Sequence, residues 1–204
     1  MDNVNFSNPH LDYDSGALRC EEVRLDSLAS RFGTPLYVYS QAAILDNFRR
    51  FKQEIGSLPA EICYSVKSNS NLSILRLLAE AGAGFDIVSG GELVRTQRIG
   101  ADPSRIVFSG VGKTQVEIDQ ALEAGIRMLN VESAGELDLI RSRARSMQRR
   151  AQVAIRVNPG VQAETHPYIS TGQAVHKFGV PKEEAATLYH QVASWPEIEF
   201  RGIA

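Results

Sequence analysis

The sequence predicts an α/β fold built from repeated strand–helix units, and three observations favour it. Short runs rich in β-branched residues alternate with amphipathic helical patterns, which is typical of parallel sheets whose strands are joined by helices. Six such runs occur, and the first five recur about every 20 to 25 residues. The chain of 204 residues is long enough to bury a substantial core. We therefore predict an incomplete (β/α)8 TIM-type barrel, with a doubly wound open sheet as the alternative.

The six predicted strands share an apolar, β-branched character. They cover residues 61–67, 84–89, 105–110, 127–132, 152–158 and 198–204. After the first strand, Leu75 and Leu78 belong to an apolar stripe with helical spacing. After the third strand, Thr114 and Glu117 form a capping-box pattern, and Gly125 marks the end of the helix. Helices are therefore expected to connect successive parallel strands.

An N-terminal segment, residues 1–40, is predicted to precede the repeating units. Within it, residues 36–39 follow Pro35 and are predicted to form a strand that packs beside the barrel, with a helix after it. The barrel domain is predicted to cover residues 41–204 and to stop inside its sixth strand. About six of the eight strands of a complete barrel are then expected in this chain.

Composition and charge narrow the possible partners. The formal net charge of −2 gives no general attraction to nucleic acid or to an anionic membrane. The arginine-rich residues 141–150 contain no aromatic residue for base stacking, so a solvated helix face is the favoured interpretation. Cys20 and Cys63 lack metal-ligand spacing and are expected to stay reduced. No apolar run approaches the roughly 20 residues of a membrane span. We expect a cytoplasmic protein with no nucleic-acid partner, no membrane partner and no metal ion.

A single lysine ends the first predicted strand of the barrel. Side chains alternate across a strand, so Cys63, Ser65 and Lys67 share one face, while the bulky Tyr64 and Val66 share the other. The bulky face suits the layer between sheet and helices. Lys67 is therefore expected at the carboxyl-terminal mouth of the barrel, partly shielded from water and beside an inward-facing arginine of strand five.

Polar and charged side chains occur near the carboxyl ends of five consecutive predicted strands. They are Lys67, Asp86, Ser109, Glu132 and Arg156. Barrels of this type place their active sites at that end. A shielded amine there is suited to a covalent bond with a carbonyl cofactor, which predicts a nucleophilic role for the lysine. A structural layer of salt bridges is the alternative explanation of the pattern.

Seven short motifs carry a resemblance to a known family. They are RFGTPLYVYS, YSVKSN, GAGFDIVSGGEL, FSGVGKT, NVES, IRVNPGVQAETHPYISTG and HKFG. In this order and approximate spacing they resemble the diaminopimelate decarboxylases, pyridoxal-phosphate enzymes of the alanine racemase-like barrel class. The resemblance runs from about Asp26 to Ala204. The full phosphate-loop pattern is absent around VGKT, because Val107 stands where its first glycine is required.

The resemblance implies pyridoxal 5′-phosphate as cofactor and assigns three residues to it. Lys67 is similar to the lysine that holds the cofactor covalently and later moves protons at the substrate Cα. Asp86 resembles the acidic residue held close to that lysine. Arg156 resembles the arginine near the phenolic oxygen of the cofactor.

The same resemblance implies a substrate side and a reaction. Thr165, His166 and Lys177 are expected to shape the substrate side, with a plain polar loop histidine as the alternative for His166. The implied reaction converts meso-2,6-diaminopimelate to L-lysine, the last step of bacterial lysine biosynthesis. Decarboxylation of another basic amino acid, such as ornithine or carboxynorspermidine, and a non-catalytic pyridoxal-phosphate-binding module are the alternatives.

The resemblance also implies parts that lie beyond residue 204. In the family a cofactor-stacking histidine, a glycine-rich phosphate loop, a C-terminal β domain and the second subunit of a homodimer complete the enzyme. We therefore expect this chain to be an N-terminal fragment that is inactive alone.

Overall fold

The computed structural model describes residues 9–160 and 178–204, which fall into two compact units. The first unit comprises Met1–Ala60 and Glu80–Gly82, and the second comprises Glu61–Ala79 and Ala83–Ala204. Across the described ranges, the helices are too short or too polar to cross a bilayer.

The first unit contains a small antiparallel sheet and two helices. The strands β1 (Leu11–Asp14), β2 (Ala17–Cys20) and β3 (Val23–Arg24) pair in that order, and the helices are α1 (Leu25–Phe32) and α2 (Gln41–Ile55). Ser40 caps α2, because its Oγ accepts from the Ala43 N–H at 2.9 Å. The same hydroxyl donates to Glu21 at 2.7 Å, which ties the start of α2 to the turn after β2.

The predicted strand at residues 36–39 is wrong, although the helix after it is confirmed. These residues belong to no strand, and Tyr37 and Tyr39 are 84% and 54% exposed. An extended apolar segment becomes a strand only where a second strand pairs with its backbone N–H and C=O groups. No strand in the described ranges does so here.

The second unit is built on a six-stranded parallel sheet in which strand order follows chain order. The strands are β4 (Cys63–Ser65), β5 (Gly84–Ile87), β6 (Ile106–Phe108), β7 (Met128–Val131), β8 (Ala151–Ile155) and β11 (Ile198–Ile203), and a two-residue pair joins β9 (Val157–Asn158) to β10 (Val180–Pro181). The helices are α3 (Leu72–Glu80), α4 (Gly90–Arg98), α5 (Gln115–Ala124), α6 (Ala134–Ser146) and α7 (Lys182–Val192). All six predicted strands are present, each somewhat shorter than predicted. The doubly wound alternative is excluded, since its strand order reverses at a switch point.

The core lies between one face of this sheet and its helices. Alternate strand residues are fully buried there, namely Phe85, Ile87, Ile106, Phe108, Leu129, Val131, Val153 and Ile155. They pack against helix residues such as Leu75, Leu93 and Ile118. Burying each large apolar side chain is worth about 1.5–3 kcal/mol. Because this face is committed to the core, residues of the other parity point to the opposite face of the sheet.

Three helices begin at the carboxyl-terminal edge of the sheet, each with a side-chain cap. Ser89, Thr114 and Ser133 cap α4, α5 and α6, and each side chain accepts an N–H from the residue three positions later. The predicted capping box of Thr114 and Glu117 is confirmed, and Gly125 ends α5 in the left-handed conformation. The loops between strands and helices at this edge are therefore short and anchored.

Candidate active site

Lys67 lies just beyond the end of β4. The strand stops at Ser65, and a single 3₁₀ turn, Val66–Ser68, carries the lysine. Val66 is fully buried and anchors the turn, while Lys67 is exposed. Within residues 9–160 and 178–204, its ammonium has no hydrogen-bond or ion-pair partner. The expected placement at the mouth is therefore found, but the expected shielding is wrong for this chain, because the strand ends two residues before the lysine.

Asp86 is held by hydroxyl groups. Its Oδ2 accepts from Ser65 Oγ at 3.2 Å and its Oδ1 from Ser109 Oγ at 2.5 Å. Asn130 Nδ2 donates in turn to Ser109 Oγ at 3.0 Å. The register makes this possible, since Ser65 pairs directly with Asp86 across β4 and β5. A polar network thus links the ends of four adjacent strands, β4 to β7.

Asn130 brings an unused acceptor into this network. Its Oδ1 is the one buried side-chain oxygen or nitrogen atom of the described residues that has no hydrogen-bond partner. A buried polar atom without a partner is costly, so a donor from a bound molecule would be favourable there. Lys67, Asp86 and Asn130 thus lie at or just beyond the carboxyl-terminal ends of β4, β5 and β7, at one edge of the sheet.

Arg156 is oriented by a buried carboxylate. Its Nη1 donates to Glu132 Oε1 at 2.8 Å, and the exposed fractions of the two side chains are 40% and 4%. The guanidinium also lies 5.0 Å from the ring centroid of Phe178. Because Glu132 is buried and only one edge of Arg156 is committed to it, the remaining N–H donors face outward.

Gly179 is bound by the same carboxylate that binds Arg156. Its N–H donates to Glu132 Oε2 at 2.9 Å, so both oxygens of that carboxylate are used. Gly179 has φ of +76°, and a Cβ there would lie 2.7 Å from the Arg156 carbonyl oxygen. Only glycine fits such a close approach at positive φ. The segment entering β10 is therefore docked on Glu132 and Arg156.

Three predicted site residues remain untested by the geometry. Thr165, His166 and Lys177 lie outside the described residues. Sequence reasoning did not assign a role to Asn130, although it shares the parity of Glu132 in one strand. The buried pair Lys113 and Glu136, described below, was also missed; its only local signal is a glutamate three residues after the cap Ser133.

Comparison with known proteins places this arrangement in a family. The model of the pyridoxal-binding domain of pyridoxal-dependent decarboxylases matches residues 41–204. The chain belongs to the pyridoxal-dependent decarboxylases. Their cofactor is pyridoxal phosphate, as the resemblance of the motifs implies.

Individual relatives of this decarboxylase chain carry a narrower name. It is 47% identical over 186 residues to the diaminopimelate decarboxylase of Neisseria meningitidis serogroup B, covering 91% of this chain and 45% of that protein. It is also 47% identical over 203 residues to that of Vibrio cholerae, covering 100% of this chain and 47% of that protein. The chain thus spans about half the length of the curated relatives it matches.

Solved structures agree with the fold. The diaminopimelate decarboxylase of M. jannaschii in complex with L-lysine superposes with a TM-score of 0.87 at 38% identity, covering 96% of this chain and 47% of that one. The Helicobacter pylori enzyme complexed with L-lysine gives a TM-score of 0.82 at 42% identity, covering 87% of this chain and 46% of that one. The prediction of an incomplete TIM-type barrel is confirmed.

The residues at the carboxyl-terminal edge of this decarboxylase domain fit pyridoxal phosphate. The amine of Lys67, which is exposed and has no partner in residues 9–160 and 178–204, suits the carbonyl carbon of the cofactor. Outward N–H donors of Arg156 suit an anionic oxygen.

Proposed function

We propose that the whole protein containing this chain decarboxylates meso-2,6-diaminopimelate to L-lysine with pyridoxal phosphate. The observation that carries this proposal is a lysine at the carboxyl edge of the sheet that has no partner among the described residues, next to the strand that bears the hydroxyl-held Asp86. The names of the relatives, at 46–47% identity, support the choice of substrate.

Lys67 is proposed as the catalytic residue and the covalent holder of the cofactor. Bound pyridoxal phosphate supplies an electron sink that stabilises the carbanion left when carbon dioxide departs. The lysine amine sits on a flexible four-carbon stem, which suits the transfer of a proton to the substrate Cα. Its exposure within this chain leaves the amine accessible to a bound molecule.

Asp86 is proposed to hold Lys67 and the cofactor in place through its charge. Its partners are the neutral hydroxyls of Ser65 and Ser109, so its negative charge is not cancelled by a cation among the described residues. A carboxylate fixed in this way can orient an ammonium group such as that of Lys67.

Arg156 is proposed to bind the phenolic oxygen of the cofactor. Glu132 takes one of the five guanidinium N–H donors, and the others remain for an anionic oxygen. Thr165, His166 and Lys177 are proposed to lie on the substrate side. We further propose that the pyridoxal-binding domain covers residues 41–204, the range that the family model matches. A cytoplasmic homodimer is the expected form of the whole protein.

The test begins with the coding sequence that follows the codon for Ala204. The whole protein should be expressed, loaded with pyridoxal phosphate and given meso-2,6-diaminopimelate, ornithine or carboxynorspermidine in separate assays. Release of carbon dioxide and formation of L-lysine from diaminopimelate is the expected result. Turnover of another basic amino acid in its place would correct the substrate. Binding of pyridoxal phosphate without any turnover would favour the non-catalytic alternative.

The 204-residue chain should be assayed alongside the whole protein under the same conditions. It is expected to release no carbon dioxide on its own. Turnover by this chain would contradict the expectation that further residues complete the active site.

A further inference from the structure

Behind the site lies a buried ion pair with no role in the proposed chemistry. Lys113 and Glu136 are joined at 2.7 Å, and their side chains are 1% and 9% exposed. Removing two charges from water costs several kcal/mol per ion, and apolar replacements of such pairs are often as stable. A contribution to stability is therefore a poor explanation for a pair so well buried. The hydrogen bonds that the pair makes to neighbouring residues indicate another role.

Lys113 ties the loop after β6 to strand β7. Its Nζ donates to the Gly110 carbonyl oxygen at 2.8 Å, to the Asn130 carbonyl oxygen at 2.7 Å and to Glu136 Oε1 at 2.7 Å. An ammonium has three N–H bonds, so all its donors are used. The lysine thus holds the backbone of Asn130, whose side chain donates to Ser109.

Glu136 fixes the backbone at Glu132, two residues after Asn130. Its Oε2 accepts from the backbone N–H of Glu132 at 2.9 Å. The carboxylate of Glu132 in turn holds Arg156 and the Gly179 N–H. The backbone groups of Asn130 and Glu132 are thus both bound by one ion pair.

We propose that Lys113 and Glu136 are positioning residues for the cofactor site. The pair sets residues 130–132, and through them it orients Asp86 on one side and Arg156 on the other. This inference rests on the proposed function for its chemical purpose, but its geometric part can be tested without the cofactor.

The first readout is amide hydrogen exchange in the whole protein without cofactor. In the variant Lys113→Met/Glu136→Leu, we expect the Gly179 N–H to exchange about tenfold faster, because its acceptor Glu132 is no longer held. Gly179 does not touch the ion pair, so a merely local loss of structure would leave its exchange unchanged. Overlapping peptides that contain Gly179 report the rate by mass spectrometry.

The matched control removes an ion pair between α5 and α6, the helix that also carries Glu136. Arg143 and Asp119 join α6 to α5 at 2.7 Å, and both side chains are 24% exposed. The variant Arg143→Met/Asp119→Leu should leave Gly179 exchange at the wild-type rate. An equal acceleration in both variants would overturn the proposal, since it would report general loosening.

The second readout is the apparent Kd for pyridoxal phosphate, measured by titration of the apoprotein. We expect about a tenfold increase for Lys113→Met/Glu136→Leu and none for the control, as is typical when an outer partner of a binding group is lost. In a Glu132→Ala background the same double substitution should have a smaller effect, because the link to Arg156 is already broken and only the link through Asn130 to Asp86 remains. Additive effects would overturn the proposal.

A milder variant covers the case in which the double variant does not fold. Glu136→Gln keeps an oxygen but removes the charge that Lys113 meets, and we expect a smaller acceleration of Gly179 exchange. Unchanged exchange in this variant would overturn the proposal. If the wild-type protein fails to bind pyridoxal phosphate, the proposed function falls, while the exchange experiment still decides the positioning role.

Discussion

Both edges of the six-stranded sheet carry ion pairs, but they differ in the charged groups that lie outside such pairs. At the amino-terminal edge, Glu61 is shared between Arg105 and Arg127, so the carboxylate is paired with two guanidinium groups. At the carboxyl-terminal edge, Asp86 is held by hydroxyls, and Lys67 has no partner among the described residues. Partly exposed ion pairs such as those of Glu61 contribute modestly to stability, whereas charges held without a counter-charge are available to a ligand.

The arginine-rich residues 141–150 include cations that are paired within the fold. Arg141 lies 4.0 Å from the ring centroid of Trp195 and bonds Glu197, and Arg143 pairs with Asp119. The predicted solvated face therefore holds for Arg145, which is 78% exposed, but not for Arg141 or Arg143. Arg141 thus links α6 to the segment before β11, and Arg143 links α6 to α5.

Loss of Lys67 at the carboxyl edge should have the largest effect. We expect Lys67→Ala in the whole protein to lower kcat/KM by about 1000-fold, because both the covalent hold on the cofactor and a proton-transfer group are lost. Lys67→Arg should not rescue activity, since a guanidinium stays protonated. Steady-state release of carbon dioxide measures both variants.

An exposed lysine on another helix provides the control for this variant. Lys182→Ala, at the start of α7, should keep wild-type activity. Substantial turnover by Lys67→Ala would remove the lysine from its proposed role and leave the two edges of the sheet functionally alike.

Removal of the charge held by hydroxyls should have the next largest effect. Asp86→Asn keeps the volume of the side chain, and Ser65 and Ser109 can still hydrogen-bond to it. We expect kcat/KM to fall about 100-fold with little change in Tm, because an oriented charge is lost but packing is kept. The exposed Asp138→Asn serves as control, and activity within twofold of wild type for Asp86→Asn would contradict the assignment.

A substitution at the amino-terminal edge should lower the free energy of unfolding without changing cofactor binding. Glu61→Ala leaves Arg105 and Arg127 without their shared carboxylate, and we expect a loss of about 1 kcal/mol in the free energy of unfolding, since the pairs are partly exposed. The apparent Kd for pyridoxal phosphate should stay unchanged. Urea unfolding and cofactor titration measure the two quantities, with the exposed Glu123→Ala as control. A weakened cofactor site would show that the two edges are coupled.

The smallest expected effect concerns a helix cap at the carboxyl edge. Backbone N–H groups of Gly90 and Thr114 donate to Glu117 and hold the pKa of that carboxyl below its ordinary value of 4.5. A lowered pKa in the folded state contributes stability that is present above pH 4.5 and is lost as the pH falls through the folded pKa.

Glu117→Gln tests this cap. We expect it to cost about 0.5–1 kcal/mol at pH 7, because the glutamine has one acceptor oxygen for two N–H donors. The difference from wild type should shrink as the pH falls below 4.5, which urea unfolding across pH 3 to 7 would measure. A difference that is constant with pH would show that the carboxylate charge contributes nothing.

Local sequence determined most of the scaffold. Strand runs, the capping box of Thr114 and Glu117, and the stop at Gly125 depend on residues within a few positions of one another, so they could be recognised without the fold. The parity of the strands also placed Lys67, Asp86 and Arg156 on the side away from the core. The strand at residues 36–39 could not be judged in this way, because a strand exists only with a partner.

Tertiary structure decided which polar groups meet. Ser65 reaches Asp86 because β4 and β5 pair in one particular register, and a slip by one residue would turn one of them to the core. Glu132 joins Arg156 to Gly179, which is 47 positions away in the chain. Lys113 finds Glu136 only when α6 docks beside the loop after β6. Such contacts depend on the register of strands and the docking of helices, and no local pattern in the sequence encodes either.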